Sequence, residues 1–216
     1  MSATTQLLER DPALKIGLHK KHYWFHVTDF PGIEFPEGME TSVGELLYGL
    51  IKVIQPKRII ETGTRCGIST RYMQMAADPA CIIQTIERDT RVYDYTWRKF
   101  SALGIDNIQS WNAESLSCLS AGHTMHVGAP LVDFALLDSE PCYRYRELEM
   151  LIVQGMLSRG AVIAIHDLPN IDCAPFEPNL EWIHMVLDNE ILMPFCFPNT
   201  DSGLTLFQYR GHLWNR

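Results

Sequence analysis

Arg58-Ile-Ile-Glu61-Thr-Gly63-Thr-Arg-Cys-Gly67-Ile-Ser69 is the stretch on which the fold turns. Arg58 to Glu61 reads as a short apolar strand running into a glycine-bearing turn, and Ser69 to Ala77 reads as a helix. Upstream, Ser42-Val-Gly-Glu45 has a capping-box pattern, Leu46, Leu47, Leu50, Ile51 and Ile54 follow at helical spacing, and Pro56 stops that helix. Downstream the same alternation repeats. Strands are predicted at Cys81–Glu87, Asn107–Ala113, Leu131–Asp138 and Ala161–His166, the last preceded by a turn at Ser158-Arg-Gly160. Between them fall a helix from Thr90 to Leu103 ended by Gly104, a weak helix after Ala113, and a clear one from Tyr143 to Met156. Near-continuous apolar strands alternating with helices predict an α/β fold whose parallel sheet is covered on both faces.

The tail departs from that pattern. Asn179 to Glu190 reads as a helix, and Ile191–Phe197 and Leu204–Tyr209 read as two strands joined by Pro198-Asn-Thr-Asp-Ser-Gly203. The expected architecture is therefore a Rossmann-like, doubly wound, seven-stranded sheet, mostly parallel, with an antiparallel C-terminal hairpin strand. Residues 1–40 are irregular, rich in aromatics and His, and cut by Pro31 and Pro36. They are an N-terminal extension or lid, and 41–216 form one domain without an internal repeat or a dividing linker.

A length of 216 residues suits one domain, and the 46% hydrophobic content can fill a core. Eighteen Lys and Arg against 26 Asp and Glu give a net charge of −8, which argues against a nucleic-acid partner. Lys20–Lys21, between His19 and His22, is the one basic hint and reads as part of a solvated helix. No stretch reads as a membrane span or as a signal peptide. The six cysteines are scattered without a C-x-x-C pair, so free thiols in a reducing, cytoplasmic setting are the expectation.

In an open parallel sheet, ligands bind beyond the C-terminal ends of the strands, near the point where strand order reverses. The polar residues predicted there are Glu61, Glu87, Asn112, Asp138 and the pair His166–Asp167, one group per strand. Gly63 and Gly67 allow a tight turn and a close approach by a ligand. Their spacing is G-x-x-x-G, without the G-x-G-x-x-G of a dinucleotide site and without a phosphate-binding Lys. An acid ahead of this loop repels a pyrophosphate and favours a cationic ligand. Glu87, 24 residues past Gly63, sits where an acid accepts hydrogen bonds from ribose hydroxyls.

These residues resemble the class I S-adenosylmethionine-dependent methyltransferases. Glu61–Gly67 is similar to their first motif and Ile86-Glu87 to the second. Val132-Asp-Phe-Ala-Leu-Leu-Asp138 and Leu157-Ser-Arg-Gly160-Ala-Val-Ile-Ala-Ile-His166-Asp167 resemble the fourth- and fifth-strand motifs. Thr41 to Glu61 resembles the opening helix and strand of the catechol and caffeoyl-CoA O-methyltransferases, whereas the His-Asp ending is closer to the sugar and macrolide O-methyltransferases. The resemblance implies S-adenosylmethionine as cofactor. Gly63 and Gly67 would line its methionine part, with Glu61 near the amino group and Ser69 close by. Glu87 would hold the ribose, and Asn112 and Ala113 would lie at the adenine edge. Met39, Thr41 and Asp138 would also lie near the cofactor.

In the catechol-type enzymes a magnesium ion is held after strands four and five, at positions that here read Asp138, His166 and Asp167. Imidazole suits Mg²⁺ poorly. One reading keeps a divalent metal on Asp138 and Asp167, with His166 as a third ligand or neighbour; a second has no metal and makes His166 a general base; a third leaves His166–Asp167 to end a strand and cap the next element. Glu140 is a further candidate to face the site. His123 and His126 read as surface residues, and Trp97, Trp182 and Met185 as core. The expected reaction is O-methylation of a small-molecule hydroxyl, with the aromatic segment 22–35 as lid or acceptor pocket. Relatives of this kind are often dimers, but no exposed apolar stripe marks an interface. An aminopropyl transferase using Asp138 and Glu140 for a polyamine, a nicotinamide dehydrogenase, and a cofactor-binding protein without activity remain as alternatives.

Overall fold

The computed structural model describes residues 41–121, 130–166, 191–197 and 204–211. Met39, His123, His126, Asp167, Trp182, Met185, the segment 1–40 and the helix expected at 179–190 lie outside these residues. Thr41–Ile54 forms α1, Arg58–Thr62 β1, Ile68–Ala76 α2, Ile82–Glu87 β2 and Thr90–Ala102 α3. Ile108–Asn112 (β3), Ser115–Ser120 (α4), Val132–Leu137 (β4), Pro141–Val153 (α5) and Leu157–His166 (β5) continue the alternation. Leu192–Phe197 (β6) and Leu204–Tyr209 (β7) end it. The helix α1 runs from Thr41 and includes Ser42.

The seven strands form one sheet in the order β3-β2-β1-β4-β5-β7-β6. All pairs from β3 to β5 are parallel; β7 is antiparallel to both β5 and β6. Alternate side chains feed two cores. Ile59, Ile83, Ile108, Phe134, Leu136 and Ala164 pack with Val43, Leu47 and Ile51 of α1, Met73 and Ala76 of α2 and Phe100 of α3. Ile60, Ala135, Leu137, Ile163 and Ile165 pack with Leu119 of α4 and Leu148, Leu151 and Ile152 of α5. Every residue of β1 is buried: Ile59 and Ile60 enter the two cores, and Arg58, Glu61 and Thr62 are held by side-chain hydrogen bonds. Burying each Ile or Leu there contributes about 2 kcal/mol.

Two expectations change. The turn predicted at Ser158–Gly160 does not precede β5 but lies within it. Val132 pairs with Leu157 and Phe134 with Val162, so the intervening β5 residues bulge outward. Asp133 fixes this irregularity by accepting from the Ser158 hydroxyl (2.6 Å) and from the backbone N–H of Lys57 (2.8 Å). Trp97, expected in the core, is 38% exposed, because the buried face of α3 runs through Thr96 and Phe100 instead.

Candidate active site

The chain runs from β1 outward to β2 and β3, then returns to place β4 on the other side of β1. Strand order therefore reverses between β1 and β4, and the loops after them flank the crevice where an open α/β sheet binds ligands. Gly63 adopts φ +82°, and a Cβ added there would stand 2.2 Å from the Asp138 carbonyl oxygen. Gly67 adopts φ +73°, and its Cβ would meet the Phe100 ring at 2.5 Å. Both glycines are thus required by the protein's own packing. Gly63 brings the two crevice loops together and Gly67 seats α2 on α3, a packing role beside the tight turn that the sequence predicts.

Glu61, expected near the amino group of the cofactor, is fully buried. The hydroxyls of Ser69 and Thr70, at the start of α2, and of Thr85 on β2 all donate to its carboxylate. Thr85 is in turn bonded to Thr64 in the loop. Burial pushes the Glu61 carboxyl up to about 7 against the pull of these bonds, and the charge of Asp138 adds to the rise. The acid and Ser69 therefore clamp the glycine loop to α2 and β2 from below.

Glu87 ends β2 at 8% exposure. One carboxylate oxygen accepts from the N–H of Arg65 (2.9 Å) and the other from the N–H of Asp89 (2.8 Å). A carboxylate has about four lone-pair positions, so capacity for further donors remains. Asn112, expected to pair with an adenine edge, spends its amide on the protein. Its Nδ2 donates to the carbonyls of Glu87 (2.9 Å) and Arg88 (3.3 Å), and its Oδ1 accepts from Thr90 (2.9 Å). The Ala113 N–H donates to the Glu87 carbonyl at 3.0 Å, so both residues tie the end of β3 to the end of β2. Thr41 starts α1. Cys66 of the glycine loop is a free thiol that burial pushes up to about 11, so it is neutral near pH 7.

Across the crevice, the Oδ1 of Asp138 lies 3.0 Å from the Nδ1 of His166. Both side chains are largely buried, at 16% and 7% exposure. The two residues expected to carry catalysis are therefore brought together. The structure adds Arg144 of α5, which the sequence reading missed. Its Nη2 stands 3.4 Å from the same Asp138 oxygen, its Nε donates to the Ser139 carbonyl at 2.8 Å, and its Nη1 donates to the His166 carbonyl. Glu147, one turn on and fully buried, was missed as well; it accepts from Thr62 (2.8 Å) and Ser115. Burial raises its carboxyl above the usual range. The available signal was their spacing. Positions 144, 147, 148 and 151 share one helical face, so two charges stand on a stripe that also carries buried leucines.

Glu140 does not turn into the crevice. It pairs with Arg88 at 2.7 Å, and both side chains are about half exposed. Among the described residues, no three His, Cys, Asp or Glu side chains converge as a metal site. Asp138 already faces a guanidinium and an imidazole through one oxygen, a setting that fits a hard divalent cation poorly.

No family model matches the chain. A transmembrane O-methyltransferase homolog of Rattus norvegicus is 30% identical over 141 residues, an alignment covering 62% of this chain and 53% of that protein. The transmembrane O-methyltransferase of Homo sapiens is 28% identical, over 62% of this chain and 47% of its own length. The chain spans about half the length of the curated relatives it matches. Among solved structures, the O-methyltransferase TomG of Streptomyces achromogenes, in complex with SAM, superposes with a TM-score of 0.67 at 18% identity, covering 85% of each chain. A Bacillus cereus O-methyltransferase in complex with SAH gives 0.69 at 14% identity, covering 96% of this chain and 97% of that one. The chain thus has the Rossmann-like fold of these O-methyltransferases. None of its described helices is long and apolar enough to cross a membrane.

Proposed function

We propose that the chain transfers a methyl group from S-adenosylmethionine to a hydroxyl oxygen of a small molecule. The observation that carries this reading is Glu87. Its carboxylate stands at the end of β2, beside the glycine loop and the reversal of strand order, held by two backbone N–H groups with lone pairs to spare. That is the acceptor set a ribose diol needs. S-adenosylmethionine supplies a methyl group on a sulfonium, a good leaving group, so the protein's main task is alignment.

The chain's own residues then have distinct tasks. Glu87 accepts from the ribose hydroxyls, and the Gly63–Gly67 loop, clamped by Glu61, cradles the methionine end. As the acceptor oxygen bonds to the methyl carbon and the carbon–sulfur bond breaks, the hydroxyl proton passes to His166. The Nδ1–Asp138 contact orients the imidazole and stabilises the imidazolium that forms. An aminopropyl transferase would need acids open to a polyamine, whereas Asp138 is paired with Arg144 and Glu140 with Arg88.

Calorimetric titration with S-adenosylhomocysteine and with NAD tests the reading. S-adenosylhomocysteine should bind at one site per chain, and Glu87→Gln should weaken it at least tenfold. Binding of NAD alone, or a Glu87→Gln affinity equal to wild type, would overturn it.

A further inference from the structure

Two buried charges on α5 remain outside the mechanism. Arg144 and Glu147 stand one turn apart, and their side-chain hydrogen bonds go to different element ends. The Arg144 guanidinium joins the loop after β4, through the Ser139 carbonyl, to the end of β5, through the His166 carbonyl, and faces Asp138 between them. Glu147 joins the end of β1, through the hydroxyl of Thr62 immediately before Gly63, to the start of α4, through Ser115 just beyond the β3 loop.

We propose that these two residues divide the positioning of the site: Arg144 holds the Asp138–His166 half, where the acceptor is deprotonated, and Glu147 holds the half that receives the donor. This division rests on the methyltransferase reading for the meaning of the halves, but its geometry does not. Neither residue touches the reacting atoms. Arg144 fixes the separation of two strand ends by donating to both of their carbonyls, which a point charge such as Lys does less well than a planar fork. Glu147 satisfies two buried hydroxyls, one at the end of β1 and one at the start of α4. Removing it leaves both hydroxyls without an acceptor in the interior.

The test measures the two halves separately on the full chain. Imidazole-¹⁵N histidine spectra report the Nδ1 proton of His166, identified by its absence in His166→Gln, and calorimetry reports the Kd of S-adenosylhomocysteine. Arg144→Met should abolish or shift the His166 signal while the Kd stays within threefold, and Arg144→Lys should restore part of the signal. Glu147→Met should raise the Kd at least tenfold while the His166 signal stays in place, and Glu147→Gln should recover most of the affinity. Should the Met variants fail to fold, Arg144→Lys and Thr62→Val carry the same comparison with smaller changes, the first confined to the signal and the second to the Kd. Variants that move both readouts together, or an Arg144 substitution that leaves the His166 signal untouched, would overturn the division of roles. If the wild-type chain binds no S-adenosylhomocysteine, the methyltransferase reading fails, while the His166 response to Arg144 still decides the Arg144 half.

Discussion

Glu61 shows how a single carboxyl group couples the site to the stability of the fold. Its folded-state pKa of about 7 lies above the ordinary 4.5, because the cost of burying its charge exceeds the gain from three hydroxyl donors. The folded chain therefore holds a proton that the unfolded chain has released between those values. The associated stability is fully present below pH 4.5 and is lost as pH rises through 7, by about 3 kcal/mol at most. Ser69, Thr70 and Thr85 can accept as well as donate, so a neutral side chain is tolerated there. Glu61→Gln should consequently gain on wild type as pH is raised from 5 to 8, and urea denaturation at the two pH values measures the gain. A constant difference would show that Glu61 does not titrate in that range. The presence of an acid at 61 was legible in the sequence, but its direction was not. Whether it meets a ligand or three hydroxyls depends on Thr85, which β1–β2 pairing brings opposite it.

At the scale of elements, α3 shows a local device and its limits. Asp89 caps this helix, its Oδ1 accepting from the N–H groups of Arg91 (2.9 Å) and Val92 (3.3 Å), and these bonds hold its carboxyl below the usual range. Its own N–H meanwhile donates to Glu87, so one residue starts the helix and braces the candidate ribose acid. Because that brace is a backbone bond, the two roles separate. Asp89→Ala should cost about 1 kcal/mol in chemical denaturation, Asp89→Asn should cost much less, and both should bind S-adenosylhomocysteine within threefold of wild type. A tenfold loss of affinity in Asp89→Ala would show that the side chain also serves the site. The helices and strands themselves were legible because their periodicity is local. The bulge in β5 was read as a turn because Gly160 marks a backbone departure without saying that pairing with β4 resumes after it.

For the whole molecule, the sheet order decides where function sits. Placing β1 between β2 and β4 brings Glu87, the glycine loop and Asp138 around one crevice, although they are distant in sequence. A ligand spanning these loops binds only the folded chain, so it must stabilise the whole by mass action. At one hundred times its Kd, S-adenosylhomocysteine should add about 2.7 kcal/mol, which for a domain of this size raises Tm by about 5–10 °C. Thermal denaturation with and without ligand checks this, and an unchanged Tm at saturation would remove the crevice as its site.

The sequence by itself determined the alternation of strands and helices, the antiparallel ending and the polar group at each strand end, because apolar period and turn chemistry act over a few residues. Only the tertiary structure decided which acids face inward, that Gly63 yields to the Asp138 backbone, and that Arg144 and Glu147 underpin the site. Thr62 and Glu147 are 85 positions apart, and burial leaves each polar group dependent on a partner that chain proximity does not supply.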